Sequence, residues 1–173
     1  MYNSNYYFIR SPRLHLTTGK VVKHRSMFEI KYEVANQDEL IDPDEVSLRT
    51  RHFLGNLVLK NDNFSIFVDQ QKIPIIDSAF NILRICKVLI RKKDGMEEVE
   101  FMHSGNKMTF QKKGTKIKII PSFSVVTLEV PVNDFKEGTK QFFQNVILDA
   151  MKKNHSLSMN ERFFGYLHEA ENI

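Results

Sequence analysis

The clearest periodicity in the chain lies at residues 27–34, which read Met-Phe-Glu-Ile-Lys-Tyr-Glu-Val. Phe28, Ile30, Tyr32 and Val34 fall on one side, and Glu29, Lys31 and Glu33 on the other. This period of two marks a strand with one dry and one wet face. A wet face points to antiparallel pairing, because parallel sheets are usually covered on both sides. Residues 53–60 and 64–69 predict a second and third strand joined through Asn61-Asp62-Asn63, with Phe64, Ile66 and Val68 alternating. Pro74-Ile-Ile-Asp77 ends the extended chain and offers Asp77 as the N-cap of a helix over 78–91. That helix is apolar on most sides. Asn81, Arg84, Lys87 and Arg91 form its narrow polar stripe, so it must be covered on most sides by other elements. Arg91, Lys92 and Lys93 complement the helix dipole before Gly95.

Four further strands are predicted at 97–102, 108–112, 115–120 and 123–130. Val99 and Phe101 alternate with Glu98 and Glu100, and Ile117 and Ile119 with Lys116 and Lys118. The opposed Glu and Lys sets are placed to pair across a wet sheet face. Pro121 suits a bulge, a bend or an edge. The strongest helical stripe follows over 134–153, through Phe135, Phe142, Phe143, Val146, Ile147, Ala150 and Met151. Asp134 and Glu137 read as its capping box, and Asn154 as a left-handed stop after Lys152 and Lys153. A short last helix over 161–169 starts at Asn160, with Met159 and Phe164 as a hydrophobic staple. No stretch rich in Pro, Gly or Ser divides the chain. The expectation is one domain over 1–173, of the α+β class, with a single mainly antiparallel sheet and helices packed on one face.

Composition narrows the class further. The 173 residues are 42% hydrophobic, ample for a core, and the single cysteine excludes a disulfide framework or a multi-thiolate zinc site. No apolar run approaches the ~18 residues of a membrane span, and the start lacks a secretory signal, which together predict a cytoplasmic protein. The net charge of +4 conceals segregation. Residues 1–25 carry Arg10, Arg13, Lys20, Lys23 and Arg25 with no acid, while residues 26–50 carry seven acids against Lys31 and Arg49. The plain reading is mutual neutralisation of the two segments. The sharper one makes 1–25 a basic leader that reaches a polyanion or an acidic protein, partly packed on the body through Tyr2, Tyr6, Tyr7 and Phe8.

Candidate chemistry is sparse. The histidines, at 15, 24, 52, 103, 155 and 168, form no His-Glu-x-x-His pair, and the serines occupy no nucleophile elbow. The seven glycines make neither a phosphate loop nor a dinucleotide fingerprint. Cys86 lies within the apolar helix, where a thiol behaves as a small hydrophobe. The expectation is therefore a chain without catalytic residues, metal or cofactor. Asp38, Glu39, Asp42, Asp44 and Glu45 form the densest acidic stretch; it lacks the spacing of a calcium loop and reads as a solvated connection or, functionally, a partner-binding loop. Lys107, Lys112, Lys113, Lys116 and Lys118 crowd one hairpin. They offer phosphate contacts for a nucleic acid, against the plainer role of solvated lysines that deter edge-to-edge aggregation.

The hairpin Phe53–Asp69, the helix opening Ile73-Pro-Ile-Ile-Asp77 and the meander from Val99 to Val130 together resemble small uncharacterised cytosolic proteins of low-GC bacteria. Several of those look like immunity partners of polymorphic toxins or similar mobile-element factors. The resemblance covers roughly residues 53–153 and rests on element order, so no functional residue is carried over. It implies a non-enzymatic module that binds a partner protein and blocks or modulates it. Immunity proteins against nucleases are often acidic, and this basic chain departs from that pattern. The other reading the residues support is nucleic-acid binding through the basic hairpin and leader.

Overall fold

The computed structural model describes residues 28–35, 45–101, 105–153, 157 and 161–173. Among these the elements run β1 (Glu29–Val34), α1 (Glu45–Thr50), β2 (Leu54–Lys60), β3 (Ser65–Pro74), α2 (Ile75–Arg91), β4 (Asp94–Glu100), β5 (Lys107–Lys113), β6 (Lys116–Pro121), β7 (Leu128–Pro131), α3 (Val132–Lys153) and α4 (Glu161–Glu171). The fold is α+β with antiparallel pairing throughout, as the alternating faces predicted. Residues 1–25, the expected leader, lie outside the described residues.

One expectation needs correction. The strands form two hydrogen-bonded sheets, β1-β2-β3 and β4-β5-β6-β7, and not a single one. Pro74 closes β3 and leads straight into α2, which packs on β2 and β3 and also on β4. α3 likewise packs on β1, β6 and β7. A shared helix layer joins the sheets where a backbone ladder was expected. Asn61, at the β2–β3 turn, donates its side-chain amide to the Glu129 carbonyl of β7 at 3.4 Å, so a side chain meets that strand.

The inward residues of both sheets belong to one contiguous core with the apolar faces of α2 and α3. Phe135 on α3 is its keystone, with its ring 5.6 Å from Phe28 beside β1 and 5.6 Å from Phe110 on β5. Gly138, one turn on, lets the Phe28 carbonyl approach: a Cβ there would lie 2.7 Å from that oxygen. Gly55 on β2 does the same beneath β1, where a Cβ would lie 1.9 Å from the Glu33 carbonyl. Phe80 on α2 packs edge-on against Phe143 and Tyr166, and the Arg49 guanidinium of α1 stacks 4.4 Å above it.

Helix starts moved from their predicted places. α2 begins at Ile75, with Pro74 at φ −66° in the capping position and no side-chain cap. The Ile75 N–H finds its acceptor in the Phe53 carbonyl at 3.0 Å, so the cap comes from tertiary structure. Asp77 sits in the first turn and accepts from Arg49 at 2.9 Å and Asn81 at 2.8 Å. α3 begins at Val132, whose N–H reaches the Thr115 carbonyl at 2.9 Å, ahead of the expected Asp134 and Glu137 box. The strand predicted at 123–130 shortens to β7.

Candidate protein-docking surface

The outer face of the four-stranded sheet pairs two of its lysines with carboxylates across strands and also carries an exposed Met96. Register places Glu100 opposite Lys107, and Lys118 opposite both Gln111 and Glu129. Lys107 lies 3.1 Å from Glu98 and 3.8 Å from Glu100, and the Thr109 hydroxyl also donates to Glu98. Those carboxylates hold the Lys107 ammonium above its usual pKa. Lys116 pairs with Glu129 and depresses that carboxyl's pKa.

This geometry takes apart the lysine group expected to bind polyanions. Lys107 and Lys116 are engaged by carboxylates; Lys113 and Lys118 are exposed on the outer face. Lys112 points the other way. It is 7% exposed and donates to the carbonyls of Lys92 at 2.6 Å, Leu89 at 3.1 Å and Ile90 at 3.4 Å. Leu89 and Ile90 belong to the last turn of α2, at the negative end of its dipole, and Lys92 follows that helix in extended conformation; the Leu89 carbonyl also accepts the Lys92 N–H at 3.2 Å. A lysine from β5 thus caps α2. Of the acidic set, Asp38, Glu39, Asp42 and Asp44 lie outside the described residues, and Glu45 opens α1.

The three-stranded sheet has a different outer face. Its register lines up Lys31, Val58 and Phe67 in one row and Glu29, Lys60 and Ser65 in the next. Phe67 is 63% exposed on β3, and Val58 beside it is half-buried. Glu29 lies 3.0 Å from Lys60 and 3.6 Å from Lys31, and the hydrogen bond from Lys60 lowers its pKa. An exposed aromatic ring flanked by a small ion-pair cluster has the composition of an interface centre with a polar rim. The sequence carried a signal for Phe67. It stands on the off-beat of the Ile66/Val68 alternation, where a polar residue belongs. Phe64, expected on the buried beat, lies at the turn and is 58% exposed, while Ile66 and Val68 are buried. Asn61 fixes that turn by accepting from the backbone N–H groups of Asn63 and Phe64.

Beside β1 the surface opens into a groove of about 430 Å³ between the strand edge and α3, lined by Glu29 to Tyr32 and by Asn145, Leu148, Asp149 and Lys152. Tyr32 spans it, donating its hydroxyl to Asp149 at 2.5 Å, while its ring meets Phe142 edge-on. Burial, then the hydrogen bond to Asp149, pushes the phenol's pKa up. Tyr32 therefore stays neutral and ties β1 to α3.

Reactive groups do not converge. Among the described residues no three His, Cys, Asp or Glu side chains come together as a metal site. Cys86 is fully buried, and burial pushes its thiol up to about 11, which keeps it protonated at neutral pH. No described helix is long and apolar enough to cross a membrane. Set against known proteins, the chain matches no family model, no curated protein and no solved structure.

Proposed function

We propose that this chain is a non-enzymatic protein-binding module that acts by covering a partner protein's functional surface, in the manner of an inhibitor or immunity protein. The observation that carries this reading is Phe67. It is a large aromatic on a strand, 63% exposed, with Val58 at its side and the Glu29, Lys31 and Lys60 charges in the same and the neighbouring row. Aromatic anchors of this kind dominate binding energy at protein interfaces, and the surrounding charges set orientation and encounter rate. Burying such a ring is worth about 1.5–3 kcal/mol.

The test is affinity capture from the native host with the immobilised chain, followed by an activity assay of whatever is captured. The wild-type chain is expected to retain one partner and to lower that partner's activity. Phe67→Asp is expected to lose it at unchanged melting temperature. Capture indifferent to Phe67→Asp, or a captured partner whose activity does not change, contradicts the reading.

A further inference from the structure

The open edge of β1 carries a pattern that its neighbours do not use. Ala35 donates its backbone N–H to the Leu54 carbonyl at 2.8 Å, in the same register as the β1–β2 ladder. Hydrogen-bonded pairs alternate along an antiparallel ladder, so residues 29, 31, 33 and 35 turn their backbone groups toward β2. Those of Ile30, Tyr32 and Val34 face outward. Among the described residues no strand lies there, since β1 ends its sheet, and the surface beside it opens into the groove toward α3. Outward backbone groups in an extended segment are a template for another extended segment.

The side chains specify which one. We propose that the edge of β1 takes β1 of a second copy of this chain, antiparallel, with Tyr32 opposite the partner's Tyr32. In that register Ile30 pairs with the partner's Val34 through the outward backbone groups. Lys31 then stands directly opposite the partner's Glu33, and Glu33 opposite the partner's Lys31. These fall at the non-hydrogen-bonded positions, where side chains approach most closely. A two-residue slip one way sets Lys31 against the partner's Lys31, and the other way sets Glu33 against the partner's Glu33. Like charges at facing positions oppose both slips. Among the described residues the Glu33 carboxylate has no ion-pair partner, and Lys31 is held by Glu29 at 3.6 Å. Such a two-fold contact is closed and self-complementary. It extends two three-stranded sheets into one continuous sheet and leaves the Phe67 ring uncovered, while Lys31, in the same row as Phe67, belongs to both surfaces.

Sedimentation velocity of the full chain over a concentration series tests this, with charge reversal as the probe. Wild type is expected to sediment as a concentration-dependent dimer. Lys31→Glu and Glu33→Lys each place like charges opposite one another twice, and are expected to weaken dimerisation by about tenfold or more. The double variant Lys31→Glu/Glu33→Lys restores opposite charges in the same register and is expected to recover wild-type association. Both positions are exposed, so circular dichroism should show all variants folded. A wild-type chain that stays monomeric throughout overturns the proposal. So do single reversals that leave the dimer intact, or a double reversal that fails to restore it.

Discussion

On the outer face of the four-stranded sheet, Lys107 sits between Glu98 and Glu100, and Lys116 reaches Glu129. On the outer face of the three-stranded sheet, the middle row holds Lys31, Val58 and an exposed Phe67. Both sheets present their inner faces to the same helices and share Phe135 as a core neighbour. What separates them is how completely each satisfies itself. The larger sheet pairs Lys107 and Lys116 across strands and turns Lys112 inward onto the end of α2. Among the described residues the smaller one leaves the Phe67 ring and the β1 edge uncovered. In the proposed function the larger sheet serves as scaffold and the smaller one as the contact.

The comparison can be broken at its backbone. Gly55→Ala would drive a Cβ to 1.9 Å from the Glu33 carbonyl, a clash with main chain that only movement of β1 relieves. It is expected to destabilise by at least about 3 kcal/mol in urea unfolding. Gly95→Ala in β4 meets the flexible Lys92 side chain at 3.1 Å and is expected to cost under about 1 kcal/mol. Equal costs would mean that β1 is not held as closely to β2 as described.

A second contrast lies within one strand. Lys112→Met keeps the aliphatic stem but removes the donor to three carbonyls at the end of α2. The expected loss is about 2–3 kcal/mol, from charge-assisted hydrogen bonds and the dipole contact. Lys113→Met, next along the chain and exposed, is expected to change stability by no more than about 0.5 kcal/mol. Similar values for the two would show that Lys112 is not a cap.

Tyr32→Phe sharpens the account of the β1–α3 groove. It removes the hydrogen bond to Asp149 and is expected to cost about 1 kcal/mol at neutral pH. The folded-state pKa of Tyr32 is raised above the ordinary value of about 10. Its contribution is therefore complete below pH 10 and is lost as pH rises beyond, where the unfolded chain ionises first. The difference between wild type and Tyr32→Phe should shrink above pH 10. A constant difference from pH 7 to 11 would contradict the assignment.

Much of this was legible in the residues. Alternation in Phe28 to Val34 and in Lys116 to Ile119 reports a local property, the face on which each side chain lies, and those faces hold. The apolar wrap of α2 announced a helix covered on most sides, and it lies between sheet and α3. Lys112 was legible too, since it shares the beat of Met108 and Phe110 and so had to point inward. Its charge drew it into the surface group, because no local pattern reveals helix carbonyls waiting 20 residues upstream. The division into two sheets and the caps on Ile75 and Val132 depend on which distant carbonyls and edges meet. Only the tertiary fold decides that.

If contact belongs to the three-stranded sheet, as proposed, paired substitutions on the two outer faces will separate them. Phe67 and Met96 are similarly exposed, at 63% and 64%, one on each sheet. With the captured partner in hand, titration calorimetry of Phe67→Asp and Met96→Asp would compare the two faces at equal chemical insult. Phe67→Asp is expected to weaken binding by about 2 kcal/mol or more, while Met96→Asp stays within about 0.5 kcal/mol of wild type. The reverse order, or equal losses, would contradict the proposal.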